Sequence, residues 1–145
     1  MVDQIADDAP HVLAAMEWVD RRVAADMLRL MPEVHRDVRG SHGRILDMVD
    51  DEGSRPSDLA EGAWITKQAI SKRIRELEEL GWVSVEPDPN DRRATVVRRT
   101  PAGDEVRRAA RGAIEAMEGE WASQVGAQRY ATFRQVMAEL VEGYR

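Results

Sequence analysis

The chain contains no cysteine. Disulfides, thiolate metal sites and thiol redox switches are therefore excluded. No apolar run approaches the about 20 residues needed to cross a bilayer. The opening MVDQIADDAP is acidic and has no apolar centre, so a secretory leader is not expected there. Glycine-rich phosphate loops and catalytic Ser/His/Asp or paired-carboxylate patterns are missing. The histidines His11, His35 and His42 match no zinc template. Neither an enzyme nor a metal or cofactor site is expected. Lysine is scarce too, occurring only at Lys67 and Lys72. The length of 145 residues fits one soluble domain with helical extensions, and the cytoplasm is the plain expectation.

Positive charge is in deficit overall, with 21 basic against 27 acidic side chains and a net charge of −6. That total argues against bulk attraction to nucleic acid. The distribution is uneven. Residues 1–65 hold 7 basic and 14 acidic groups, residues 66–100 hold 8 and 6, and residues 101–145 hold 6 and 7. Only the middle stretch is positive, and both lysines lie in it.

Hydrophobic periodicity supplies the elements. Val12, Met16, Val19, Val23, Met27 and Leu30 recur at steps of three or four, which predicts a helix over about 11–31. A short helix follows RGSH, with Ser41 as its expected N-cap and Ile45, Leu46 and Val49 as its apolar side. SRPSDLAEGAW opens a third helix, with Pro56 at its first position and Gly62 expected to stop it. In ITKQAISKRIRELEELG, Thr66 reads as N-cap. Ile65 and Ile70 form a hydrophobic staple, Ile70, Ile74, Leu77 and Leu80 form the inner face, and Gly81 is the left-handed C-terminal cap. The period then changes to two. WVSVE, the turn residues PDPND and ATVVRR read as a β-hairpin. Thr100 and Pro101 restart a helix that runs to about Trp121, SQVGAQ breaks it, and Phe133, Val136, Met137, Leu140 and Tyr144 mark a last one.

Two short helices and a tight turn followed by a hairpin predict a winged helix-turn-helix over 41–101. The expected fold class is mainly α with a small β-hairpin. The segments 1–40 and 102–145 are read as N- and C-terminal dimerisation helices, because their apolar stripes exceed what the winged helix can cover. On the fourth helix Lys67, Gln68, Ser71, Lys72 and Arg75 point outward in the first turns, while Glu76, Glu78 and Glu79 crowd the far end. Glutamine can pair with adenine and lysine or arginine with guanine, and recognition helices enter the major groove by their N-terminal residues. At the hairpin tip Arg92 and Arg93 follow Asp91. An arginine there can reach a minor groove, and a carboxylate two residues away in a tight turn can hold it in one rotamer. Arg92 is assigned to phosphate or solvent. Against this stands the reading of a solvated amphipathic face and a solubilising hairpin tip.

These segments, ITKQAISKRIRELEELGWV and PDPNDRRATVVRRTPAG, resemble the MarR family of bacterial transcription regulators. The family pattern has a recognition helix ending Leu-x-x-x-Gly, a wing with Asp-x-Arg and a strand running into Leu-Thr-x-x-Gly. Here the wing motif falls on Asp91 and Arg93, and the last on Arg99, Thr100 and Gly103. Arg99 departs from the usual leucine, which leaves either a phosphate contact or looser packing at the base of the wing. The resemblance implies a homodimer joined through its first and last helices, and a sequence-specific repressor of double-stranded DNA at a pseudo-palindromic site. It also implies Arg93 in the minor groove, oriented by Asp91. Many members release DNA when a small, often phenolic or otherwise aromatic, ligand binds between the dimerisation and DNA-binding parts. Trp18, Trp64 and Trp82, with Met16, Met27, Met31 and Met48, are groups that either line such a pocket or fill a core. The alternative, favoured by the acidic total, is a winged-helix module that binds another protein and no DNA.

Overall fold

The computed structural model describes residues 10–35, 38 and 40–142. Residues 1–9 of the expected dimerisation segment, Arg39 and Tyr144 lie outside them. Along the chain run α1 (Val12–Leu30), a 3-10 turn (Glu33–His35), α2 (Gly40–Met48), α3 (Pro56–Ala63), α4 (Lys67–Glu79), β1 (Val83–Asp88), β2 (Asp91–Arg99), α5 (Pro101–Val125) and α6 (Ala127–Glu142). The expected order of helices and hairpin is the observed one. Two compact units divide it, Met31–Gly112 and the pair Met1–Leu30 with Ala113–Arg145.

The unit Met31–Gly112 is a winged helix. Its core joins Ile45 and Leu46 of α2, Leu59 of α3, Ile70 and Leu77 of α4, and Val97 of β2, all at most 2% exposed. β1 and β2 pair antiparallel from Val83↔Arg99 to Asp88↔Asp91, with an irregularity at Pro87/Asp88. Ser54 adds a bridge to Val97, exchanging two backbone hydrogen bonds of 2.9 Å. That second pairing was not expected from the sequence.

Caps define the ends of α4. Thr66 Oγ1 accepts from the Ala69 amide at 3.1 Å. At the far end Gly81 N–H reaches Glu78 O and Trp82 N–H reaches Leu77 O, both at 2.9 Å, with Gly81 at φ 74°. This double closure satisfies carbonyls that the helix end would otherwise leave bare. The start of α5 packs onto it. Thr100 Oγ1 donates to Gly81 O at 2.6 Å and accepts from the Gly103 amide at 3.1 Å. A Cβ on residue 103 would stand 1.9 Å from Trp82 O, so only glycine fits. Thr100 and Gly103 thus dock α5 against the end of α4.

Three expectations need correction. Ser41 lies inside the first turn of α2 and meets the Arg73 guanidinium, so it is not the cap. Gly62 does not stop α3. A Cβ there would meet Met48 Cε at 2.7 Å, so its smallness serves packing, and the left-handed residue that closes the helix is Trp64. Leu80 sits at the cap of α4, 43% exposed and outside the inner face.

In the other unit, Asp26 of α1 is only 7% exposed. It accepts from Trp121 Nε1 and Arg22 Nε, both at 2.8 Å, and from Arg29 at 3.2 Å. The Trp121 indole and then Arg22 hold its carboxyl below the usual carboxylate range. In α6, Phe133, Val136, Met137 and Leu140 form one stripe, each between 38% and 64% exposed.

Candidate nucleic-acid interface

The inner face of α4 fixes what its outer face presents. With Ile70, Ile74 and Leu77 buried, Lys67, Gln68, Ser71, Lys72 and Arg75 are all exposed. Lys67 and Arg75 have no ion-pair partner among the described residues. Lys72 stands 4.0 Å from Glu76 and its side chain is 74% exposed, too open for that pair to hold it. Ser71 Oγ donates to Lys67 O at 2.7 Å, so in this geometry its hydroxyl is free only to accept. The Thr66 oxygen is occupied by its own helix cap. Glu76 is turned toward α2, where its Oε2 lies 3.2 Å from Nε2 of the buried His42. The acid nearest the basic turns is thereby partly withdrawn from the outer face.

The wing has its own scaffold. Asp88, 6% exposed, accepts from Arg55 Nε at 2.8 Å and Nη2 at 2.6 Å, and from the Asn90 amide at 2.8 Å. The Asn90 amide, then the Arg55 guanidinium, hold the Asp88 carboxyl below its ordinary range. Arg55 precedes Pro56 at the N-terminus of α3, so the pair ties the wing tip to the helix-turn-helix. Asp91 Oδ1 accepts from the Arg93 backbone amide at 3.0 Å. The aspartate therefore sets the arginine's backbone, in contrast to the expected grip on its guanidinium. Both Arg92 and Arg93 are exposed on β2 with no ion-pair partner among the described residues.

Arg99 is different. Its side chain is 5% exposed and donates to Asp104 at 2.7 Å, to Asp51 and to Leu46 O. The guanidinium is turned inward onto two carboxylates. It replaces an apolar plug by an ion-paired one and presents nothing to a phosphate.

The Arg55–Asp88 pair, the His42–Glu76 pair and the left-handed Trp64 escaped the sequence reading. Arg55 carried a faint signal, since arginine has no acceptor and cannot cap the helix it precedes. Among the described residues no group of three or more His, Asp or Glu is arranged to hold a metal. A cavity of about 420 Å³ lies in the unit of α1 and α6, lined by Val19, Arg22, Trp121, Arg129, Tyr130 and Phe133 among others. Trp18, Trp64 and Trp82 do not line it.

The family profile described as MarR family matches residues 36–94, the stretch that holds α2 through the wing tip. Over that stretch the chain is similar to the MarR family. Solved structures resemble it over nearly its whole length. The PcaV transcriptional regulator from Streptomyces coelicolor, in complex with its natural ligand, superposes with a TM-score of 0.79 and 17% identity, covering 97% of this chain and 98% of that one. The S. aureus MepR–DNA complex gives 0.78 at 16% identity, covering 93% and 99%. A mutant of MarR from E. coli complexed with operator DNA gives 0.75 at 17%, covering 88% and 91%. At these identities the likeness shows the fold. No curated protein matches the chain. No helix among the described residues is long and apolar enough to cross a membrane.

Proposed function

We propose that the protein is a sequence-specific, double-stranded DNA-binding transcription regulator that acts as a cytoplasmic homodimer and represses its target. One observation carries the reading. Exposed basic and amide groups gather at the N-terminal turns of α4 and at the wing, in a chain of net charge −6. Lys67, Gln68, Ser71, Lys72 and Arg75 face the major groove, with Thr66 holding the helix end that enters it. Arg93 takes the minor groove, Asp91 fixes its backbone, and Arg92 meets phosphate. Residues 41–101 form the DNA-binding domain. Residues 1–40 and 102–145 form the dimerisation helices, a role that the exposed stripe of α6 supports. Two-fold symmetry would set recognition helices ~34–36 Å apart on a pseudo-palindromic site. A small aromatic ligand would release the DNA, and the cavity beside Trp121 and Tyr130, with Arg22 and Arg129 at its wall, offers it space.

Footprinting on the DNA upstream of the protein's own gene tests the reading. Protection of two symmetric half-sites one turn apart is expected. A titration that finds no DNA affinity even at low salt would instead favour a module that binds another protein.

A further inference from the structure

The turn between α3 and α4 holds a residue that the site leaves without a role. Both helices close alike. In α4 the left-handed position is Gly81 at φ 74°. In α3, Trp64 N–H reaches Glu61 O and Ile65 N–H reaches Ala60 O, both at 3.1 Å, and the left-handed position is Trp64 at φ 57° and ψ 42°. Among the described residues it is the single non-glycine residue with positive φ. A Cβ is disfavoured there because it crowds the following carbonyl. Burial does not offset the strain, since Trp64 is 61% exposed. Its indole N–H has no acceptor among the described residues. Trp121, by contrast, spends its N–H on Asp26, and Trp82 packs against the core. A strained backbone that carries a large exposed ring points to a use for the ring.

Its position says which use. Trp64 stands two residues before the cap Thr66, at the entrance to the helix whose exposed face begins with Lys67 and Gln68. We propose that Trp64 is a DNA-backbone contact. Its indole N–H donates to a phosphate oxygen at the edge of the groove that α4 enters, and its ring covers the adjoining sugar. The proposal rests on the DNA-binding reading above and adds a residue to it. The chemistry fits, because indole is a donor only and phosphate oxygens are acceptors. An indole also has few rotors to freeze on binding. The contact positions the helix on the duplex and reads no base.

Because the donor is neutral, it releases no counterion. The effect of removing it is therefore separable from that of losing a lysine. Glycine and asparagine both accept the left-handed conformation, so Trp64→Gly and Trp64→Asn relieve the strain and remove the ring. Both variants are expected to melt at or above the wild-type temperature and to remain dimeric. Both should bind operator DNA about three- to tenfold more weakly, with an unchanged slope of log affinity against log salt. A Lys72→Ala control lowers that slope by about 1. Trp64→Phe, which keeps a ring and loses the donor, falls between. Wild-type affinity in the glycine and asparagine variants overturns the proposal and leaves the DNA-binding reading intact. A loss of dimer in sedimentation, with no separate loss of DNA affinity, overturns it in favour of a protein contact. A wild-type chain that binds no DNA at low salt removes both the proposal and the reading beneath it.

Discussion

Four arginines near the wing show how little residue type says about role until the surroundings are known. Arg93 is exposed, unpaired among the described residues and fixed through its backbone by Asp91. Removing its side chain disturbs no packing. Arg93→Ala should weaken operator binding by ~1–3 kcal/mol while leaving the melting temperature unchanged. Wild-type affinity in a titration of that variant would remove the wing from the interface. Arg99 is the opposite case. It is buried between Asp51 and Asp104, where the family pattern has leucine. A buried ion pair exchanged for an apolar side chain of similar reach is often neutral or stabilising. Asp51, at 91% exposure, simply returns to water. Arg99→Leu is therefore expected to keep both the melting temperature and the salt slope of DNA binding. A slope lower by about 1 would make Arg99 a phosphate contact after all. Arg92 is exposed as well, and Arg55 is held by Asp88.

At the scale of the element, local chemistry was legible and long-range pairing was not. The repeat of Ile70, Ile74 and Leu77, the Thr66 cap and the Gly81 closure all lie within one helix, so the sequence of that helix is enough to find them. Five exposed residues of the candidate interface followed from the same periodicity. Ser41 and Gly62 were misread because their roles answer to distant neighbours, Arg73 for one and Met48 for the other. Asp88 was read only as a turn residue, because its partner Arg55 is 33 positions away. That pair makes the wing sensitive to acid. The Asp88 carboxyl is held low in the folded state, so its contribution is present above the unfolded value near ~3.9 and is lost as pH falls through the lower folded value. Melting curves of wild type and Asp88→Asn should lie apart at neutral pH and converge as pH falls below about 4. Parallel curves would show that the charge contributes nothing. The junction of α4 and α5 gives a second element-scale expectation. Gly103→Ala forces a methyl group onto the Trp82 carbonyl, a backbone atom that cannot swing aside. Overpacking of this kind costs ~1–3 kcal/mol, readable as a lower denaturant midpoint. Gly112, with nothing within 4 Å of its missing Cβ, is the control that should tolerate alanine in the same helix.

For the whole molecule the decisive quantity is apolar surface left without a partner. Phe133, Val136, Met137 and Leu140 share one face of α6, and none of the described residues of that helix is buried. A stripe of that kind needs cover from water, and a second copy of the chain would supply an identical stripe under two-fold symmetry. Paired charges placed on the stripe would make that cover repulsive. Val136→Arg with Leu140→Arg alters side chains that are 46% and 64% exposed, so the fold of each chain should survive, with unchanged helical circular dichroism. Sedimentation should then show a monomer. The effect on DNA follows from linkage of the two half-sites. One winged helix alone loses the second contact set, whose effective concentration in the dimer is far above that of a free chain. Operator affinity should fall by at least about 100-fold. The slope against salt should drop to roughly half, because half the phosphate contacts are gone. A variant that is monomeric yet binds with the wild-type slope would mean that one chain makes every contact. A variant that stays dimeric would put the partner on another face.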